Sequence, residues 1–103
     1  MWASVQAVSI YLAMWARVPT IVLMNSAAIT AGQDLVINNK RTYRVVKRME
    51  LGRGLAKLAK AVFVIEGKRG AAYSLTFGQN GFVWMQNSRG SATTDVHSIA
   101  LAA

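Results

Sequence analysis

The sequence contains no cysteine, one histidine and one proline among its 103 residues. The lack of cysteine excludes a disulfide framework and a thiolate metal site. His97, the single histidine, cannot form an imidazole cluster around a metal ion within one chain. We therefore predict no metal site and no cofactor.

Acidic residues are also scarce, since four Asp and Glu stand against twelve Lys and Arg. General acid–base chemistry has few candidate groups in such a chain. The turn Gly67-Lys68-Arg69-Gly70 lacks the spacing of a phosphate-binding P-loop. Asp95 and His97 lie near several serines, but nearness along the chain is not the geometry of a catalytic triad. We predict no catalytic residues and a protein that is not an enzyme.

The excess of positive charge is the strongest compositional signal, with a formal net charge of +8. A charge of this size indicates polyanionic partners, namely nucleic acid, an anionic membrane surface or an acidic protein. A solvated basic surface without such a partner is the plain alternative. Ten of the twelve cations fall within one stretch: Lys40, Arg41, Arg44, Lys47, Arg48, Arg53, Lys57, Lys60, Lys68 and Arg69.

Residues 1–24 form an apolar N-terminal segment whose one charge is Arg17. Apolar residues recur at spacings of three and four, which predicts a helix that Pro19 ends or kinks. Four interpretations stay open: a transmembrane helix, a secretory signal, a helix packed on the following domain, and an upstream extension with Met24 as the true start. The protein is expected in the cytoplasm, and anchored to a membrane if residues 2–24 span one.

Residues 25–90 are predicted to form a basic β-rich domain, and residues 91–103 a flexible C-terminal tail. Alternating or β-branched runs separated by Asn- and Gly-rich turns predict strands. A helix of one or two turns is expected over residues 55–61, where helix formers predominate, with an extended arm as the alternative. Residues 87–94 are expected to form a loop, and residues 96–101 a short strand or helix. The five predicted strands cover residues 35–37, 41–49, 61–66, 72–77 and 82–86.

The expected fold is mainly β, or small α+β, with an N-terminal helix before the strands. Five short antiparallel strands would form a curled sheet or small barrel, because consecutive strands usually pair with their neighbours. The opening Gly32-Gln33-Asp34-Leu35-Val36 and the hairpin after it loosely resemble an SH3-like barrel. This resemblance covers no diagnostic motif and assigns no family.

The second strand supplies the candidate binding residues. Strict alternation places Tyr43 inward and both Arg44 and Arg48 on the outward face. Arg41 and the turn residues Lys68 and Arg69 would extend this basic surface. We predict a binding module that contacts nucleic-acid phosphates through Arg41, Arg44, Arg48, Lys68 and Arg69, with little sequence specificity.

Four aromatic residues are candidates for stacking on bases if they are exposed: Tyr43, Tyr73, Phe82 and Trp84. Two other function classes remain open. One is a structural or assembly protein that binds an acidic partner or oligomerises, in an oligomeric state that the sequence does not determine. The other is a membrane-tethered basic domain.

Overall fold

The part of the chain that the structure describes forms one curled antiparallel sheet of seven strands, shaped as a half-barrel. The computed structural model describes residues 21–90 and 92–102. The strands are β1 (Asp34–Ile37), β2 (Arg41–Arg48), β3 (Ala59–Glu66), β4 (Ala72–Gly78), β5 (Val83–Asn87), β6 (Thr93–Asp95) and β7 (Ile99–Leu101). The order across the sheet is β6-β5-β4-β3-β2-β1-β7. The prediction of a mainly β fold is confirmed, whereas the predicted count of five strands is wrong.

The β1–β2 hairpin forms around the predicted Asn-Asn turn. Asn38 and Asn39 both have φ of 56°, and the Lys40 amide donates to the Ile37 carbonyl over 3.1 Å. Two consecutive positive φ values match the tight turns whose twist suits antiparallel strands, and asparagine tolerates that conformation. This turn fixes the register that places Tyr43 opposite Leu35.

The core fills the concave side of the sheet. Phe63, Ile65 and Leu75 from the two central strands are fully buried there, and Ile29 and Val96 pack against the same cluster from outside the strands. Phe63 and Phe77 meet edge to face, with ring centroids 5.9 Å apart. Because the two aromatic residues come from paired strands, their packing stabilises the centre of the sheet.

The helix predicted over residues 55–61 is one turn long and begins earlier in the chain, as α1 (Arg53–Ala56). Residues 59–61 belong instead to β3, which begins at Ala59. Ala59 and Ala61 pair with Gly78 and Phe77 of β4. Pairing in the sheet therefore overrides the helix propensity of these alanines, as tertiary context commonly does.

A β-bulge at Val46 changes the faces predicted for β2. Val45 lies opposite Ile65, but Lys47 lies opposite Val64, so Val46 is the extra residue. The extra residue reverses the alternation beyond it. Arg48 therefore shares the face of buried Phe63, and the prediction that Arg44 and Arg48 share an outward face is wrong.

The two edges of the sheet approach each other at one end. The three residues 96–98 connect β6 to β7, so the Cα atoms of Asp95 and Ile99 lie at most about 15 Å apart. Asn38, in the β1–β2 turn, is hydrogen-bonded to Asp95 and to His97 within this connection. Its side-chain amide donates to the Asp95 carbonyl over 2.8 Å and accepts from the His97 amide over 2.8 Å.

Both ends of the described chain take part in the sheet. Residues 93–101, within the segment predicted as a tail, supply β6 and β7. Leu23 forms a parallel bridge with Ile99, so the chain just before Met24 lies along β7. The predicted N-terminal helix lies mostly outside the described residues.

Candidate nucleic-acid interface

A basic groove of about 470 Å³ lies at the end of the half-barrel where the β1–β2 and β3–β4 turns are neighbours. These turns meet because β2 and β3 pair side by side, with Arg44 opposite Glu66. Four cations come from the two turns and the start of β2. The groove is lined by Lys40, Arg41, Thr42, Tyr43, Gly67, Lys68, Arg69 and Tyr73.

Two tyrosines form the apolar part of the groove. The rings of Tyr43 and Tyr73 pack edge to face, with centroids 5.3 Å apart and an interplanar angle of 85°. Gly67 lies against both rings, since a Cβ at this position would be 3.4 Å from the nearest Tyr43 ring carbon. This packing fixes the base of the β3–β4 turn against β2.

The pKa of the Tyr43 hydroxyl is raised above its ordinary value of 10.0. Burial is the main cause, and the neighbouring Tyr73 adds to it, whereas Arg41 acts in the opposite direction. Tyr43 is 6% exposed, so its ring serves as packing rather than as a free stacking surface. Tyr73 is half-buried beside it.

The β3–β4 turn presents Lys68 and Arg69 at the rim of the groove. The Gly67 amide donates to the Ala71 carbonyl over 2.8 Å, which closes the turn. Arg69 has φ of 75° and ψ of 13°, and Gly70 has φ of 78°. A left-handed conformation costs a residue with a side chain about 1–2 kcal/mol, so an arginine is held where glycine would be less strained.

The groove cations carry net positive charge without acidic neighbours in the lining. Within residues 21–90 and 92–102, the one ion pair joins Arg44 to Asp34, with Nε 3.2 Å from Oδ1. Both side chains are well exposed, so the pair contributes at most about 1 kcal/mol to stability. Its larger effect is to neutralise Arg44, while the groove cations keep their charge for an anionic ligand.

The structure places Arg44 and Arg48 away from the groove. Arg44 lies opposite Asp34 and Glu66 on the convex face of the sheet. Arg48 lies at the far end of β2, roughly 20 Å from Arg41, and its guanidinium carbon is 5.4 Å from the centroid of the Phe63 ring. This cation–π contact covers an edge of the core.

Three of the five predicted contact residues thus lie together: Arg41, Lys68 and Arg69. Sequence reasoning missed Lys40 as a member of the site, although its position directly after the Asn-Asn turn was a usable signal. Of the other candidate stacking residues, Trp84 is half-buried on the convex face, and Phe82 is exposed at the opposite end of the sheet.

The described residues hold no group of three His, Asp or Glu that could bind a metal ion. In the same part of the chain, no helix is both long and apolar enough to cross a membrane. Comparison with protein-family models, curated proteins and solved structures found no match to this chain. The loose resemblance to an SH3-like barrel therefore stays a prediction.

Proposed function

We propose that this protein is a small binding module that holds nucleic-acid phosphates in the basic groove, with little sequence specificity. The observation that carries the proposal is the meeting of Lys40, Arg41, Lys68 and Arg69 around one groove. Contacts to phosphates carry no sequence information directly, so affinity should vary little with sequence. The strain at Arg69 supports the proposal, because strained backbone is concentrated at functional sites.

The proposed phosphate contacts differ from the set of residues that the sequence alone suggested. Arg41, Lys68 and Arg69, with Lys40, make the phosphate contacts in this proposal. Arg44 and Arg48 contribute less, since one is neutralised by Asp34 and the other lies over Phe63. Arg44 and Arg48 therefore serve as matched controls for the three predicted residues that lie in the groove.

The test is fluorescence anisotropy of labelled single-stranded DNA, duplex DNA and RNA with the full chain across a salt series. If all four cations contact phosphates, the log–log salt slope for single strands should be about −2.8. Arg41→Ala should weaken binding to every sequence and reduce the slope by about 0.7. Arg44→Ala removes the same charge from the convex face and should change the slope much less.

The outcomes separate this function from its alternatives. Equal affinity for the wild type and Arg69→Glu would overturn the proposal. Absence of binding at low salt, together with capture of an acidic protein that depends on Arg41, would assign the groove to a protein partner.

A further inference from the structure

The end of the half-barrel opposite the basic groove carries a second surface. It combines the chain around α1 with the β4–β5 turn. Gln79 joins the two parts, since its backbone amide donates to the Leu58 carbonyl over 3.3 Å and its side chain donates to the Ala56 carbonyl over 3.1 Å. We call this surface, formed by residues 47–60 and 79–82, the α1 end.

Large apolar side chains project from the α1 end. Leu58 is 70% exposed and Phe82 is 68% exposed, and both Leu55 and Met49 are also exposed. Beside Phe82, a shallow depression of about 310 Å³ is lined by Leu23 and Lys60 among others. Isolated apolar residues on a surface need no explanation, but a group at one end of a small domain indicates an interaction site.

Cations flank these apolar side chains. Lys57 and Lys60 lie on either side of Leu58, and Arg53 lies two residues before Leu55. Lys47 and Arg48 add two further exposed charges at the end of β2. Residues 51–65 contain no acidic residue, and Glu50 is the one carboxylate in the α1 end. The surface is therefore both apolar and strongly positive.

We infer that the α1 end docks on an anionic lipid bilayer. Leu58 and Phe82 protrude from turns, and a bilayer accepts protruding side chains without a complementary pocket. Apolar residues that enter the headgroup region, flanked by cations that attract anionic lipids, are the usual features of a peripheral membrane surface. Nucleic acid would be attracted by the cations, but its affinity would gain little from an exposed leucine.

This inference does not rest on the proposed function, because the two surfaces lie at opposite ends of the sheet. The test uses co-sedimentation of the full chain with vesicles of phosphatidylcholine alone and of phosphatidylcholine with one-third phosphatidylserine. The variants are Leu58→Ser with Phe82→Ser, Lys57→Ala, and two controls. The controls are Leu101→Ser, an exposed leucine on edge strand β7, and Lys40→Ala in the groove.

Wild-type protein should bind the anionic vesicles, and salt should weaken that binding. Leu58→Ser with Phe82→Ser should reduce the partition coefficient at least about tenfold, and Lys57→Ala should reduce it about fivefold. Leu101→Ser and Lys40→Ala should leave vesicle binding near the wild-type value, while Lys40→Ala weakens nucleic-acid binding. Thermal unfolding should confirm that each variant folds, which the exposure of the substituted side chains favours.

Two results would overturn the inference. One is vesicle binding that is equal for wild type and for the Leu58/Phe82 variant, because membrane association would then come from another part of the chain. The other is a loss of self-association in the Leu58/Phe82 variant, seen by light scattering, with no vesicle binding by the wild type. That result would make the α1 end a contact between copies of this protein.

Discussion

At position 69, an arginine occupies a backbone conformation with φ of 75° and ψ of 13°, in which glycine meets no steric resistance. Arg69→Gly should therefore keep or raise the free energy of unfolding by up to about 1 kcal/mol, after the greater flexibility of glycine in the unfolded chain is included. The same substitution should weaken nucleic-acid binding because it removes a groove cation. Urea denaturation and anisotropy, measured on one preparation, check both parts.

Arg69→Ala is the matched control, because alanine removes the charge but keeps a Cβ in the left-handed conformation. The two variants should bind nucleic acid with equally reduced affinity. Arg69→Gly should be more stable than Arg69→Ala. If Arg69→Gly is the less stable of the two, then the strain argument at this position is wrong.

Through Tyr43, which lines the groove, the stability of the protein should depend on pH. In the folded state, burial raises the pKa of Tyr43 above 10.0, its ordinary value, which applies in the unfolded chain. At a pH between the unfolded-state and folded-state pKa, the unfolded chain therefore holds fewer protons than the folded protein. The contribution of Tyr43 to stability is therefore fully present below pH 10 and is lost as the pH rises through the folded-state pKa. Wild-type protein should lose more stability than Tyr43→Phe above pH 10.

The measurement is urea denaturation of both proteins at pH 8 and across the range above pH 10. Every other titratable group is common to both proteins, so only the difference between the two curves is informative. Parallel curves throughout the alkaline range would contradict a raised pKa for Tyr43.

At the scale of single elements, the β4–β5 hairpin depends on the absence of a side chain at Gly78. A Cβ there would be 2.7 Å from the Asn80 side-chain oxygen and 2.9 Å from a ring carbon of Trp84. Gly78→Ala should therefore lower the free energy of unfolding by about 1–3 kcal/mol, since the hairpin or the indole must shift. Thermal and urea denaturation measure the loss.

Gly54→Ala is the control for this substitution, because a Cβ at Gly54 would meet no atom within 4 Å and the residue belongs to α1. Alanine favours helix over glycine by up to about 1 kcal/mol, so this variant should be at least as stable as the wild type. Equal stabilities for the two alanine variants would show that Trp84 and Asn80 move aside freely.

The elements differ in how far the sequence predicts them. The β4 strand follows from the alternation of Tyr73, Leu75 and Phe77, and the first hairpin from its asparagines. By contrast, β6 consists of exposed Thr93, Thr94 and Asp95, which carry no apolar pattern. It exists because β5 offers an edge, and this cause lies in tertiary structure.

The sequence predicts that the candidate site is rich in cations, but it does not predict where on the fold the site lies. The density of cations from Lys40 to Arg69 is plain in the sequence. Which cations meet depends on the pairing of β2 with β3 and on the bulge at Val46. A bulge changes the face of every later residue in its strand.

Across the whole molecule, Asn38 ties the β1–β2 turn to the segment that connects the two edge strands. Asn38→Gly keeps the positive φ but removes both side-chain hydrogen bonds to the 95–97 segment. Each hydrogen bond contributes about 0.5–1.5 kcal/mol, so the variant should lose about 1–3 kcal/mol of stability. Hydrogen exchange should show the largest loss of protection in β6 and β7.

Asn39→Gly provides the comparison, because its φ is the same and glycine suits the turn equally well. This variant should stay within about 0.5 kcal/mol of the wild type. If the two glycine variants lose protection in the same strands to the same extent, then the turn, and not the Asn38 side chain, holds the 95–97 segment in place.

The pairing of β1 with β7 has a consequence for how the chain is made. Leu35 pairs with Leu101, so one edge of β1 stays without its partner until residues 99–101 have left the ribosome. Contacts so distant along the chain slow folding, and an unpaired edge strand invites pairing with other chains in the meantime. The sheet is therefore completed only when residues 99–101 reach β1, and the edge of β1 is open to pairing with other chains until then.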